Sequence, residues 1–280
     1  MSKQVVIVAD STCDLGKELI EHYGVRIVPL GVHLGGGDYV DGVDITPDHI
    51  FAHYEKTGEL PKTAAPNIAA FADCFEGDIA DGAVAFTISA EMSSTYNNAR
   101  LAASEYENVH VVDTRNLSTG AGLLVLAAAE MAERGMPAAE IAAACRALIP
   151  CVDASFVIDD LEFLHKGGRC SALAALGANL LQLKPCITVT DGKMGVAKKY
   201  RGRFSAVLEQ YVKDRIGDGS QILTDHVFVT HAGCDKEIYE TVQARVQALL
   251  PNAKVHLTRA GCTISSHCGR NTLGVLFIRK

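Results

Sequence analysis

Short, continuously apolar runs alternate with longer stretches of helical spacing through the first half of the chain. The apolar runs predict strands at Val5–Ala9, Val25–Leu30, Ala83–Ile88 and Val109–Val112. Alanine-rich stretches predict helices over about Ser118–Arg134 and Ala138–Leu148. Strands that are apolar on both faces and separated by helices indicate a parallel sheet with helices on both faces. The first half therefore predicts the α/β fold class.

Local signals place further helices and one loop in this half. Thr46-Pro47 has the sequence of an N-cap followed by a first-turn proline, which predicts a helix through Tyr54. Asn67 is a second candidate N-cap, and Ser93 or Ser94 is predicted to begin a helix that runs to about Tyr106. Gly35-Gly36-Gly37 is interpreted as the opening of a long polar loop.

The second half has a different pattern, in which strands and helices are joined by a hairpin. Asp191-Gly192 lies between two apolar runs and is a strong hairpin signal. Further strands are predicted at Phe156–Ile158, Val227–Thr230, Lys254–Leu257 and Thr272–Ile278, with helices near Phe204–Arg215 and Lys236–Leu249. A hairpin among these elements predicts a mixed sheet in a second α/β domain. With the boundary at Pro150–Asp153, the predicted domains are residues 1–152 and 153–280.

Polar residues follow three of the predicted parallel strands. Asp10-Ser11-Thr12 follows the first strand, Ser89 to Ser93 the third, and Asp113-Thr114 the fourth. Ligands of open parallel sheets bind beyond the carboxyl ends of the strands. These polar exits are therefore expected to gather on one edge of the sheet, in a cleft between the two domains.

Three separated segments supply candidate binding groups for that cleft. They are Thr63–Asn67, Ser93–Tyr96 and His267–Gly274. Together they offer hydroxyls, backbone N–H groups and an imidazole, but no cluster of carboxylates. Such groups suit a small anion such as a carboxylate, which accepts several hydrogen bonds without a metal.

Composition and charge narrow the classes of partner. The net charge is −7 and the chain has no tryptophan, which argues against nucleic acid as a partner. The nine cysteines include no Cys-x-x-Cys pair, so small buried thiols are favoured over disulfides or a zinc site. The start at Met1–Gln4 and the short apolar stretch near Gly122–Ala129 predict a cytoplasmic protein without a signal peptide or membrane span. No phosphate-binding P-loop or dinucleotide fingerprint occurs, and we predict neither a metal nor a cofactor.

The motifs, in their order along the whole chain, resemble the DegV family. They are Asp10-Ser11-Thr12-Cys13-Asp14-Leu15, Thr63-x-x-Pro66, Met92-Ser93-Ser94-Thr95-Tyr96, Leu164-His165-Lys166-Gly167-Gly168-Arg169, Arg201-Gly202-Arg203 and His267-x-Gly269. The resemblance implies two α/β domains with a long-chain fatty acid bound between them. It also implies a partner, the kinase subunit of a fatty acid kinase in phospholipid metabolism, which phosphorylates the presented carboxylate to an acyl phosphate.

The same resemblance assigns roles to individual residues. Thr63 and Ser93 are expected to hold the carboxylate, with His267 close by, and the wider predicted head-group site comprises Thr63, Ser93, Ser94, Thr95, His267, Gly269 and Arg270. Arg169, Arg201 and Arg203 are expected to contact the kinase. The chain departs from the usual family pattern at Ala64, Asn67, Ser94 and Arg270, which leaves the head group of the ligand open.

Two functions stay open at this point. The first is a non-catalytic carrier whose affinity comes from the tail, because about sixteen buried carbons contribute on the order of 12 kcal/mol. Exchange of its ligand would involve a transient membrane contact. The alternative is a hydrolase of an acyl ester or acyl phosphate, with Ser93 or Ser11 as nucleophile, His267 as base and Asp10 orienting it. Neither the chain length of a bound lipid nor the oligomeric state follows from the sequence.

Overall fold

A computed structural model describes residues 5–77, 79–171 and 183–280 of the 280-residue chain; Met1–Gln4 lie outside them. The described residues form thirteen strands: β1 (Val6–Asp10), β2 (Arg26–Val28), β3 (Gly31–Leu34), β4 (Gly37–Val40), β5 (Lys62–Ala64), β6 (Ala83–Thr87), β7 (Val109–Asp113), β8 (Val152–Ile158), β9 (Lys184–Thr190), β10 (Lys193–Tyr200), β11 (Ile222–Ala232), β12 (Val255–Arg259) and β13 (Thr272–Arg279). The helices of the same residues are α1 (Lys17–Tyr23), α2 (Pro47–Thr57), α3 (Ile68–Phe75), α4 (Thr95–Ala103), α5 (Ser118–Glu133), α6 (Ala138–Leu148), α7 (Glu162–Gly167), α8 (Phe204–Ile216), α9 (Lys236–Leu249) and α10 (Cys262–Cys268).

The first sheet has four parallel strands in the order β2-β1-β6-β7. Its central strand β6 is buried at every position, which explains the continuous apolar run in the sequence. Side chains of α3 and α4 pack against one part of its core, and those of α5 and α6 against another. The predicted α/β class and parallel sheet are confirmed.

A small antiparallel sheet replaces the loop that the glycines of residues 35–37 were taken to open. Strands β4, β3 and β5 form it in that order, with Gly35 and Gly36 at the turn between β3 and β4. Both glycines have positive φ values, 58° and 78°, a conformation that glycine adopts without steric penalty. The loop prediction is therefore wrong here, and the third strand of this sheet places Thr63 opposite Val32.

The second large sheet is mixed and has the order β10-β9-β8-β13-β11-β12. Only β11 and β12 pair in parallel, and β9 and β10 form the predicted hairpin. Strand β8 is longer than the predicted strand over Phe156–Ile158 and begins at Val152. The mixed sheet with its hairpin is thus confirmed, whereas the division into domains at residues 152 and 153 stays a prediction.

Helix α5 lies between the two large sheets and contacts strands of both. It is buried along most of its length, so its alanines, leucines and valine face apolar neighbours on several sides. The hydrophobic cluster around it joins Phe86 of the first sheet to Phe228 and Leu276 of the second. The two large sheets therefore share one hydrophobic core.

Tyr211 of α8 anchors the second sheet through a fully buried hydroxyl. The hydroxyl donates to the Ser155 carbonyl (2.8 Å), accepts from Val275 N–H (2.8 Å) and contacts the Ser155 hydroxyl (2.9 Å). Tyr211→Phe leaves the Val275 N–H and the Ser155 hydroxyl without this partner. We expect the free energy of unfolding in urea to fall by about 1–3 kcal/mol.

The matched control is Tyr106→Phe, because the hydroxyl of Tyr106 has no hydrogen-bond partner among the described residues while its ring packs on Phe75 at 5.8 Å. It is expected to change the free energy of unfolding by less than about 0.5 kcal/mol. Equal losses in the two variants would show that the Tyr211 hydroxyl does not anchor the sheet.

Candidate functional site

The polar exits of the parallel strands meet at one edge, as the pattern predicted. Backbone and side-chain hydrogen bonds link the three exits: Ile88 N–H donates to Asp10 Oδ2 at 2.7 Å, and Ser89 N–H donates to the Asn116 carbonyl at 2.9 Å. The Thr114 hydroxyl donates to the Thr87 carbonyl at 2.7 Å. These contacts fix the edge of the sheet beside which a cavity opens.

The cavity has a volume of about 410 Å³ and is bounded by elements of all three sheets and by α10. Its wall is apolar over most of its length and carries hydroxyls and an imidazole at one part. The lining residues are Leu30, Thr63, Ala64, Ala65, Ile88, Met92, Ser93, Ser94, Leu117, Arg169, Met194, Thr263, Ile264, His267 and Cys268. A volume of this size lies in the range of small-molecule sites.

Thr63 and His267 form the central polar pair of the cavity. Thr63 lies on β5 and His267 on α10, and Thr63 Oγ1 is 2.9 Å from His267 Nε2. Burial, together with the nearby charge of Arg169, lowers the pKa of His267 to about 4. His267 is therefore neutral at pH 7, and it meets Thr63 as an uncharged hydrogen-bonding group.

Gly167 permits the position of the imidazole. A Cβ atom at residue 167 would lie 2.8 Å from His267 Nδ1, closer than such atoms approach in proteins. The Nδ1 atom is buried and has no hydrogen-bond partner in the described part of the chain. Glycine at residue 167 is thus explained by the close packing of its backbone against the imidazole of His267.

Ser93 lines the cavity and also forms hydrogen bonds at the N-terminus of helix α4. Its hydroxyl is 2.8 Å from Thr95 Oγ1 and accepts from the Thr95 N–H at 3.3 Å. Ser93 and Ser94 also line the cavity, so the N-terminus of α4 and its positive dipole end lie beside it. An N-cap role and an anion-binding role are compatible in this geometry.

The structure separates three residues of the predicted head-group site from the cavity wall. Thr95 is fully buried, and its hydroxyl is hydrogen-bonded to that of Ser93. Gly269 packs against the Phe163 ring, and its N–H donates to the Ser265 carbonyl at 2.9 Å. The third residue is Arg270. Thr95, Gly269 and Arg270 are all absent from the described residues that line the cavity.

Arg270 has other partners in this structure. Its Nε atom is 3.2 Å from Glu55 Oε1, and its guanidinium lies over the Phe51 ring at 5.0 Å. Both partners belong to α2. Arg270 therefore contacts α2 and does not line the cavity in this structure, and its part in the head-group site stays a prediction.

The three arginines predicted to contact a partner differ in their position relative to the cavity. Arg169 lines the cavity and donates to the Gly167 carbonyl at 2.8 Å, so it lies at the polar part of the site. Arg201 and Arg203 are exposed, one on each side of Gly202 between β10 and α8. They do not line the cavity, and their contact with a partner stays a prediction.

Three carboxylates, those of Asp10, Asp14 and Asp41, are buried, and the sequence analysis assigned a role only to Asp10. Asp41 accepts from the Cys262 and Thr263 N–H groups at 2.8 and 3.0 Å, and Asp14 accepts from the Gly261 N–H at 2.8 Å. The third, Asp10, holds Ile88 as described above. Asp14 and Asp41 thus bind the N-terminal turn of α10, whose other end carries His267.

Burial has a marked electrostatic effect on two of these carboxylates. It raises the pKa of Asp10 to about 6 and that of Asp14 to about 8, and the negative charge of Asp41 acts in the same direction on both. Hydrogen bonds oppose the rise; for Asp14 these come from the Ser118 hydroxyl at 2.5 Å and from Gly261. The aspartates in the Asp10–Leu15 motif were the only signal in the sequence for this cluster.

The groups proposed for a hydrolase do not form a catalytic triad here. His267 contacts Thr63, while the Ser93 hydroxyl contacts Thr95. The Ser11 hydroxyl donates to Asp41 at 3.1 Å, and Asp10 accepts from Thr12 and Ile88. In the described residues, neither serine is hydrogen-bonded to the histidine that would act as its base.

Three general features bear on the remaining predictions. The nine cysteines all lie within the described residues and form no disulfide, and seven of them are buried. Among the described residues, no group of three or more His, Cys, Asp or Glu side chains is placed to hold a metal ion. Over the same ranges, no helix has the length and apolar character needed to cross a membrane.

Comparison with known proteins identifies the family. A family model described as "Uncharacterised protein, DegV family" matches residues 4–280. A DegV domain-containing protein of Caldanaerobacter subterraneus is 31% identical over 285 residues, which cover 99% of this chain and 100% of that protein. A DegV domain-containing protein of Clostridium acetobutylicum is 32% identical over 282 residues and 99% of both chains.

Solved structures share the whole fold. A DegV family protein of Thermus thermophilus, described for its fatty acid binding, has a TM-score of 0.90 at 31% identity and covers 99% of this chain and 100% of its own. A stearic acid-binding protein of Eubacterium ventriosum has a TM-score of 0.84 at 30% identity, with coverage of 99% and 98%. DegV of Bacillus subtilis, described as a fatty acid binding protein, has a TM-score of 0.86 at 26% identity and full coverage of both chains. With its fold, its motifs and these relatives in agreement, the chain belongs to the DegV family.

Proposed function

We propose that this chain binds a long-chain fatty acid in the cavity beside Thr63, Ser93 and His267, and that it does so without catalysing a reaction. The observation that carries the proposal is the hydrogen-bonded pair of Thr63 and neutral His267 in a cavity that is lined by both polar and apolar side chains. The fatty acid binding described for the Thermus thermophilus, Bacillus subtilis and Eubacterium ventriosum proteins supports it.

The polar part of the cavity suits a carboxylate. The hydroxyls of Thr63 and Ser93 can each donate one hydrogen bond, and the N-terminus of α4 adds its positive dipole. Arg169 supplies the positive charge that the neutral imidazole lacks. A carboxylate with charge-assisted hydrogen bonds from such groups recovers the desolvation cost of several kcal/mol.

The apolar part of the cavity suits an acyl tail. Leu30, Ile88, Leu117, Met194 and Ile264 line it. Three of these side chains come from the first α/β half, one from the hairpin and one from α10, so the tail would be enclosed between the halves of the molecule. Burial of each methylene contributes about 0.8 kcal/mol, so most of the affinity comes from this part.

We extend the proposal to the delivery of the ligand. The exposed Arg201 and Arg203 offer two guanidiniums to an acidic partner surface, and the partner we propose is a fatty acid kinase subunit that phosphorylates the carboxylate. The chain would act in the cytoplasm and exchange its ligand through transient membrane contact. These steps follow from the family resemblance together with the exposure of the two arginines.

Thr63→Val tests the head-group site. Valine keeps the shape of threonine but removes the hydroxyl, so the carboxylate loses one hydrogen bond while the tail contacts stay. We expect the Kd for hexadecanoic acid to rise about ten-fold, which corresponds to about 1.4 kcal/mol. Isothermal titration of delipidated protein measures the effect.

Two controls separate the head group from the tail. Thr241→Val makes the same chemical change on an exposed face of α9, outside the cavity, and is expected to leave the Kd unchanged. Hexadecanol has the same tail without the carboxylate, and its binding is expected to respond to Thr63→Val less than two-fold. If the acid bound Thr63→Val as tightly as the unaltered protein, the Thr63 hydroxyl would not contact the carboxylate.

A further inference from the structure

A second cavity, larger than the first, lies on another part of the molecule. Its volume is about 710 Å³, and it is bounded by the residues that follow β7, by the connection from α6 to β8 and by the β9–β10 hairpin. It shares no lining residue with the fatty-acid cavity. We call it the arginine groove, after the four arginines that line it, Arg115, Arg146, Arg215 and Arg279.

The groove is positively charged in a protein that is acidic as a whole. Its four arginines are accompanied by two acidic lining residues, Asp153 and Asp191, which leaves a formal charge of +2 on the lining. Asp113 does not line the groove but lies 3.9 Å from Arg115, which reduces the local formal charge to +1. The net charge of the chain is −7. A concave site whose charge opposes that of the whole protein concentrates anions locally.

Two of the arginines share a single carboxylate on one wall of the groove. Arg215 and Arg279 both form ion pairs with Asp153, a buried residue of β8. One carboxylate neutralises one guanidinium, so a positive charge remains over this wall. The Nε atom of Arg215 is buried and has no hydrogen-bond partner within the described residues, which indicates a donor that a ligand can satisfy.

The other two arginines are fixed in position by backbone carbonyls. Arg115 donates to the carbonyl of Asp191 in the hairpin turn and also lies 3.9 Å from Asp113 Oδ2. Arg146 donates to the carbonyl of Val111 at 2.9 Å. A guanidinium has five N–H donors, so one such bond orients the group and leaves donors for an anion. Both arginines are thus held in place before a ligand arrives, which lowers the entropic cost of binding.

We propose that the arginine groove binds a small molecule that carries a phosphate group. A phosphate group is anionic and suits a groove with net positive charge, and guanidiniums are the side chains best suited to bind it bidentately. The volume lies within the range of about 300–1,000 Å³ typical of small-molecule sites and exceeds what a bare phosphate fills. Thr188 and Thr190 on the hairpin add hydroxyls to the same wall.

Isothermal titration at low ionic strength, with adenosine monophosphate and with inorganic phosphate as separate probes, tests this site. The groove variant is Arg115→Gln with Arg146→Gln, which removes two charges and leaves the buried pairs of Asp153 intact. The control variant is Arg100→Gln with Arg134→Gln, two exposed arginines outside the groove, with the same loss of charge. We expect the groove variant to raise the Kd of the probe at least ten-fold and the control to change it less than two-fold.

Ala197→Glu provides a second test that removes no existing contact. Ala197 is exposed and lines the groove, so a glutamate there places a negative charge inside it. We expect Ala197→Glu to abolish binding of the probe, whereas Ala197→Gln, of the same size and without the charge, keeps most of it. Thermal unfolding curves of all variants confirm that each is folded.

The two probes distinguish the source of the phosphate group. Adenosine monophosphate binding at least ten-fold more tightly than inorganic phosphate would support an organic phosphate ester, and equal affinities would support the phosphate group alone as the recognised part. Absence of saturable binding of either probe to the unaltered protein would overturn the proposal. So would an equal loss of affinity in the groove and control variants, because that result assigns binding to overall charge.

Discussion

Replacing Thr63 with glutamate is expected to weaken binding of hexadecanoic acid at least a hundred-fold, or about 2.7 kcal/mol. Thr63 lines the cavity with its hydroxyl 2.9 Å from His267 Nε2, so a glutamate carboxylate there occupies the place proposed for the carboxylate of the ligand. The two carboxylates repel each other, and only one can accept the donors that Ser93 and Arg169 provide. Titration of delipidated protein measures the loss.

Thr63→Gln is the matched control for this change. Glutamine has the size of glutamate and no charge, so it reports the steric part of the effect alone. We expect it to bind the acid at least ten-fold more tightly than Thr63→Glu does. Equal affinities of the two variants would show that charge at residue 63 is irrelevant and that the carboxylate of the ligand lies elsewhere.

Asp14→Asn is expected to stabilise the protein increasingly as the pH rises. Burial raises the pKa of Asp14 to about 8 from the 3.8 of an exposed aspartate, so the folded state favours its protonated form. The stabilisation from this proton is complete below pH 3.8 and is lost as the pH rises through 8. Each pKa unit corresponds to about 1.4 kcal/mol, so the loss amounts to several kcal/mol.

The test compares free energies of unfolding of the variant and the unaltered protein between pH 4 and 9. Asparagine keeps an oxygen for the Gly261 N–H and supplies an N–H group toward the Ser118 hydroxyl. The difference in stability is therefore expected to be near zero at pH 4 and to reach several kcal/mol at pH 9. Asp73→Asn, at an exposed position of α3, is expected to give no such trend. A difference that does not vary with pH would mean that folding does not raise the pKa of Asp14.

The two large sheets were predictable because their signals are local. Continuous apolar runs gave β1, β6 and β7, and Asp191-Gly192 marked the hairpin. Parallel pairing then placed the polar exits at one edge, since that follows from the direction of the strands alone. The sheet of β3, β4 and β5 was missed because its exposed hairpin has glycines and polar residues where a buried strand would have apolar ones.

Helix α10 was missed for a different reason. Six of its seven residues are buried, and they are cysteine, threonine, isoleucine and serine, so it shows neither an apolar stripe nor a polar face. Its position depends on the hydrogen bonds of Asp14 and Asp41 to its first turn, contacts between residues more than 200 positions apart. Spacing within the sequence carries no record of such contacts.

The candidate site was foreseen in part. The resemblance to the family assigned Thr63, Ser93 and His267 to one predicted site, and in the structure all three line the same cavity. It did not foresee that Arg270 pairs with Glu55, because the position of a long side chain is set by the charges of its neighbours. Arg169 was assigned to a partner surface, yet it also lines the cavity, because the turn at Gly167-Gly168 directs the chain back toward His267.

Native mass spectrometry of the purified protein, followed by solvent extraction and identification of any bound molecule, shows directly whether the chain carries a fatty acid. We expect one long-chain fatty acid per chain, lost or strongly depleted in the Thr63→Glu variant and retained in Thr241→Val. A protein that carries no lipid, or one that carries a phosphorylated or differently headed lipid instead, would contradict it.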